Sequence, residues 1–147
     1  MIMTNIGAYI APRLSLAPIQ GVAAGVVDNV AQNGVGVDRT GFMSCVVEVP
    51  IAATIADAGG TCTVNVVLLD SADNIVFTAY GTAIAQVVLT SIAGGTIETA
   101  LIQGDFCLRA ARQFVAVRVT ADLNAVGVDT ERFSGSIILG GASELPV

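Results

Sequence analysis

The side chains that most often carry catalysis are scarce in this sequence. It has no histidine and no lysine, and its six basic residues are all arginine. Without histidine no Ser-His-Asp or Cys-His arrangement can form, and without lysine neither a Schiff base nor a phosphate-loop lysine is available. Carboxylates and thiols remain. Asp70 with Asp73, or Asp129 with Glu131, lie close enough in sequence to serve as acid and base. Each pair falls in a turn-like stretch, where acids ordinarily face water, whereas a glycosidase-type pair needs a cleft and a set separation. Asp70-Ser71-Ala72-Asp73-Asn74 offers oxygen ligands to calcium but lacks the spacing and the closing glutamate of an EF-hand. Cys45, Cys62 and Cys107 have neither metal-type spacing nor a histidine partner, which argues against zinc. Two of them sit within apolar alternating runs, and the set reads as free, buried thiols of a reducing compartment. Gly34-x-Gly36 lacks the third glycine and following helix of a dinucleotide loop. The expectation is a non-enzyme with no catalytic residue, no cofactor and no metal.

Composition points from chemistry to surfaces. Of the 147 residues, 54% are hydrophobic and only 12% charged, against roughly 25% charged in an ordinary soluble domain. Interfaces are depleted of charge, so the shortage implies that part of the surface is covered by other subunits. The net charge is -6, and phosphate binding depends on basic clusters, so nucleic acid is not an expected partner. The uncharged stretch from Ile75 to Ile97 is long enough to raise a membrane span. Thr78, Gly81, Thr82, Gln86, Thr90, Ser91 and Gly94-Gly95-Thr96 divide it into strand-sized pieces, and no membrane partner is expected. Pro12, Pro18 and Gln20 likewise interrupt the apolar run around Arg13, so no secretory signal is expected.

The elements that would position such surfaces are strands. From residue 42 onward the period is two. Met43, Cys45, Val47 and Val49 share one face of a strand from Phe42 to Val49, with Phe42, Ser44, Val46 and Glu48 on the other. Thr61 to Leu69 alternates in the same way, with Cys62, Val64, Val66 and Leu68 inward. The Asp70–Asn74 stretch reads as a turn, so Ile75 to Tyr80 should form a hairpin with the strand before it. Ile84 to Thr90, Ile97 to Ile102, Phe114 to Thr120 and Phe133 to Leu139 complete the set, and Phe106 to Gln113 offers a brief helical alternative. About seven or eight short strands separated by turns predict an all-β, antiparallel β-sandwich of jelly-roll type over residues 32–147.

Residues 1–31 show no sustained period and contain two prolines. They read as an extended N-terminal arm whose Ile6, Tyr9, Ile10, Arg13, Leu14, Leu16 and Ile19 should lie on the core or on a neighbouring subunit. An internal echo, N-x-V-G-V-D-x-x-x-F, runs from Asn33 to Phe42 and again from Asn124 to Phe133. Gly36 and Gly127 would allow a bend and Asp38 and Asp129 would hold the turn. The echo suggests that the strands it leads into begin at similar corners.

Three segments carry a family resemblance. N-G-V-G-V-D-R-T-G-F (Asn33 to Phe42) is similar to the N-G-x-G-V-D-L-x-G-Y opening of small phage virion proteins. R-Q-F-V-A-V-R-V-T (Arg112 to Thr120) resembles their K-R-Y-V-R-V-V-V-T strand, and I-I-L-G-G-A-S-E-L-P-V (Ile137 to Val147) their terminus. The match spans residues 33–147 in order and departs from the family at Gln113-Phe114 and Glu144, so no individual capsid contact is carried over. The resemblance implies a capsid decoration, or cement, protein on the outer surface of the virion, made in the host cytoplasm. Its implied partners are the major capsid protein and copies of itself, as a dimer or trimer. The alternative is a carbohydrate- or receptor-binding sandwich of a head fibre or tail. That reading requires exposed aromatics, and the chain has no tryptophan and two scattered tyrosines.

Overall fold

Alternating apolar and polar residues, with many β-branched valines and isoleucines, favour a pleated surface with one buried face. The computed structural model describes residues 9–124 and 128–142, and over these the chain is all β, with no helix. Ten strands follow in order: β1 (Ala11–Val22), β2 (Gln32–Asn33), β3 (Val37–Asp38), β4 (Phe42–Ile55), β5 (Thr61–Ser71), β6 (Thr78–Ala79), β7 (Ile84–Thr90), β8 (Thr96–Cys107), β9 (Phe114–Leu123) and β10 (Thr130–Ala142). They form two antiparallel sheets. Sheet A is four-stranded in the order β1-β10-β4-β8; sheet B runs β2-β9-β5-β6, with β3 also on β9 and β7 also on β5. If β2 and β3 are taken as one interrupted strand and β6 and β7 as another, the connectivity is that of a jelly roll.

The core lies between the sheets. Val47, Val49, Ile51 and Ile55 from β4, with Ile137 and Leu139 from β10, meet Val64, Val66 and Leu68 from β5 and Val115, Val117 and Val119 from β9. The faces assigned by alternation hold in β5 and, from Cys45 onward, in β4: Cys45 and Cys62 point inward and are buried, while Met43 at the start of β4 is 40% exposed. At Gly135 the sheets come so close that a Cβ would lie 3.0 Å from Val117 Cγ1 and 3.2 Å from Leu16 Cβ. Glycine is the residue that fits there.

Several elements differ from the expectation, each for a physical reason. Residues 11–22, expected in an arm separate from the sandwich, form β1 at the edge of sheet A, paired with β10 from Ala11↔Leu139 to Val22↔Thr130. Register shifts between Leu14 and Leu16 and between Leu16 and Ile19 break the period of two, so the stretch does not read as a strand. The segment after it also folds back: the Asn29 N–H donates to the Ala121 carbonyl at 2.7 Å, and the Leu123 N–H donates to Asp28 Oδ1 at 2.8 Å. Strand β4 continues past Pro50 to Ile55. It keeps its register with β8 through Pro50↔Leu101, while pairing with β10 is interrupted between Phe133↔Ile51 and Ser136↔Glu48, as a residue without an N–H requires. The Asp70–Asn74 hairpin forms, but its second strand pairs only at Thr78 and Ala79. Phe106 to Gln113 is not helical. It ends β8 and turns, with the Ala111 N–H donating to the Leu108 carbonyl at 3.0 Å.

The echo also lands differently. One copy leads into β4 and the other into β10, and these are antiparallel neighbours, so the two strands start at opposite ends of one sheet. Asp38 does hold its turn, accepting from the Thr40 N–H at 2.9 Å and the Thr40 hydroxyl at 2.6 Å. Asp129 instead accepts from the Ala56 N–H at 2.8 Å. Gly127 and Ile6 lie outside the described residues.

Candidate interaction surface

The outward side of sheet A follows from its registers. Along β4 it presents Ser44, Val46, Glu48, Pro50, Ala52 and Thr54. Val46 lies between Ile138 and Asp105, Ala52 between Arg132 and Thr99, and Thr54 between Thr130 and Ile97, while Pro50 sits beside Leu101. Leu101 is 55% exposed and Ile97 67%. Small side chains along the two central strands leave a shallow trough between larger neighbours. It comprises a depression of about 420 Å³ bordered by Ile10, Val46, Phe106 and Ile138, one of about 640 Å³ bordered by Pro18, Pro50, Leu101 and Arg132, and one of about 220 Å³ at Thr54, Ile97 and Thr130. The charged residues on this face are Glu48, Asp105 and Arg132. Gln103 Nε2 donates to Glu48 Oε1 at 2.7 Å, and Arg132 makes no ion pair among the described residues.

The residues proposed from sequence do not converge on a single surface. Ile10, Arg13 and Leu14 are exposed and Tyr9 is half-buried. Leu16, at 4% exposure, belongs to the core, and Ile19, half-buried, packs against it. Both bulges of β1 flank Leu16 and turn it under the sheet. The residues that the sequence reading missed are Val46, Pro50, Ala52, Leu101 and Ile138. Their signal was available: apart from Glu48 and Arg132, the non-core positions of β4 and β10 carry small, hydroxyl or apolar side chains.

The candidate chemical groups serve the fold. Arg112 Nη2 pairs with Asp70 Oδ1 at 2.6 Å, and its N–H donates to Asp70 Oδ2 at 2.9 Å. The Arg112 guanidinium and N–H hold the Asp70 carboxyl below its usual range. Asp73 Oδ1 accepts from the Ile75 and Val76 N–H groups at 2.9 and 3.0 Å and from the Ser71 hydroxyl at 2.8 Å, and these bonds lower its pKa to about 2. Arg39 is not held by Asp38: its guanidinium donates to the Arg112 carbonyl at 3.0 Å and to that of Ala111, tying down the turn after β8. Glu131 is fully buried beside Cys62, whose thiol lies 3.7 Å from Oε2, and Oε1 has no hydrogen-bond partner. Burial, with the charge of Asp28, raises its pKa to about 7. Burial likewise pushes the Cys45 and Cys62 thiols up to about 12, far from the reactive thiolate form; Cys107 is exposed. Among the described residues no group of three His, Cys, Asp or Glu could hold a metal, and no helix is long and apolar enough to cross a membrane.

No family model matches the sequence, and no curated protein matches it. Among solved structures, a chain of the infectious bursal disease virus VP2 subviral particle is similar over 94% of this chain and 34% of its own, at 9% identity and a TM-score of 0.49. The PBSX exported protein XepA is similar over 93% of this chain and 39% of its own, at 20% identity and a TM-score of 0.43. Dimeric latent PorU from Porphyromonas gingivalis is similar over 95% of this chain and 14% of its own, at 10% identity and a TM-score of 0.55. The chain therefore spans about a third of the virus-particle chains and a smaller part of PorU. At these identities the likeness is one of fold, and the PorU match supports the two-sheet β-sandwich described above.

Proposed function

We propose that this protein is a non-catalytic structural subunit of a phage particle, a decoration protein that binds the outer capsid through the outward face of sheet A and strengthens contacts between major capsid protein subunits. The observation that carries the reading is that face: a trough of mostly small and apolar side chains along β4 and β10, on a chain that is itself poor in charge. Contiguous apolar surface on a soluble domain marks a protein contact, and modest contacts repeated with a shell's symmetry add up through multivalency. The sequence resemblance to small virion proteins supports the same reading. Sugar binding is less well served, because the aromatic bordering the middle depression, Phe133, is 3% exposed and offers no platform for a sugar ring.

The test is co-sedimentation of the purified protein with capsid shells of the phage that encodes it, alongside an Ile138→Asp variant. Binding of the native protein that is lost in the variant supports the reading. Failure of the native protein to bind shells, or undiminished binding by a folded Ile138→Asp variant, overturns it.

A further inference from the structure

We propose that β8 is a dimerisation strand, which pairs antiparallel with β8 of a second copy about a two-fold axis near Leu101 and joins the two four-stranded sheets into one. Strand β8 ends sheet A and, among the described residues, has β4 as its only ladder partner. The direction of its free hydrogen-bonding groups follows from two observations. The Leu108 N–H donates to the Met43 carbonyl at 2.7 Å, so even-numbered residues of β8 bond to β4. Pro50, which has no N–H, sits opposite Leu101 without breaking that ladder. The N–H and C=O groups of Ile97, Thr99, Leu101 and Gln103 therefore point away from β4, and among the described residues they have no partner. Beyond this window the same parity is already served: the Tyr80 hydroxyl donates to the Cys107 carbonyl at 2.6 Å.

The opposite edge of sheet A is protected. Strand β1 carries Pro12 and Pro18 and two register shifts, and the Val35 N–H reaches the Ser15 carbonyl at 2.7 Å. These are the devices by which sheets block edge pairing. Strand β8 is a 12-residue strand without proline or lysine. Its charges are also compatible with a copy of itself. A two-fold antiparallel pairing matches odd residues with odd and even with even, so Glu98 and Asp105 never face each other. Centred on Leu101, it sets Leu101 against its symmetry mate, Thr99 against Gln103 and Glu98 against Gly104. An isologous contact of this kind closes at two subunits.

The proposal concerns self-association and is independent of shell binding. Sedimentation equilibrium of the full-length chain at micromolar concentration should give twice the chain mass. Leu101→Pro should give the single-chain mass with an unchanged far-ultraviolet circular dichroism spectrum, because the N–H it removes has no partner within the chain. Amide exchange covers the case in which that variant misfolds: in the native protein the Thr99, Leu101 and Gln103 amides should be protected as strongly as those of Ala100 and Ile102. A native protein that sediments as a monomer or trimer, a dimer that survives Leu101→Pro, or rapid exchange at the three odd positions overturns the proposal.

Discussion

The two sheets of this sandwich treat their outward faces differently. Sheet B presents Thr61, Thr63 and Asn65 on β5 beside Thr120 and Asp122 on β9 and Gln86 on β7. Of its apolar groups on that side, Leu69 and Ala116 are fully buried outside the main core, while Val88 is exposed. Sheet A leaves Val46, Pro50, Ala52, Leu101 and Ile138 in an open trough. The same contrast holds for buried acids. In sheet B, Asp70 is paired with Arg112; in sheet A, Glu131 is fully buried with an unpartnered oxygen. Sheet B thus pairs its buried acid within the chain, whereas sheet A leaves one oxygen of its buried acid without a partner among the described residues.

The strongest way to break this contrast is to place a charge on each face in turn. Ile138→Asp on sheet A should weaken shell binding by 100-fold or more, on the order of 3 kcal/mol, whereas Val88→Asp, an exposed apolar position on sheet B, should change it less than about threefold. Titration of shells with both variants checks this, and equal losses would erase the distinction between the faces. The next effect concerns Glu131. Its folded pKa of about 7 lies above the ordinary 4.5, so the folded state holds more protons between those values and stability falls as pH rises through that window. The loss reaches about 3 kcal/mol. Glu131→Gln should abolish this slope and raise the melting temperature at pH 8 above that of the native protein, as measured by thermal denaturation across pH. The depressed carboxyls of Asp70 and Asp73 act in the opposite sense, since stability they provide is lost as pH falls through their folded pKa values. Thermal stability should therefore peak near pH 4 to 5. The smallest effect is that of Arg112→Ala. It removes the ion pair but leaves the backbone N–H bond to Asp70 Oδ2, and because the guanidinium is 40% exposed the cost should be about 1 kcal/mol by denaturant unfolding.

Most of the sandwich was legible because alternation survives wherever one face is buried. The inward sets Cys45, Val47, Val49 and Cys62, Val64, Val66, Leu68 could be read directly, and so could the Asp70–Asn74 turn. The misreadings cluster where backbone irregularity disturbs the period. The bulges around Leu16 concealed β1, and Pro50 concealed the second half of β4 because proline in a strand ordinarily signals an edge. The candidate surface was less legible. The arm residues were expected on the core or on a neighbour, and apolarity alone does not distinguish Leu16, turned inward by a bulge, from Leu14, which stays exposed. Recognising sheet A required knowing that β4 and β10 are adjacent, a relation between residues far apart in sequence that no local pattern encodes.

The prolines of β1 also set a limit on growth. If copies join through β8, both free ends of the combined sheet are β1 strands, in which Pro12 and Pro18 lack the donors that a further strand would need. Strand addition would then terminate at a particle of fixed stoichiometry, and a protein with a bare strand edge would be spared from growing into fibres.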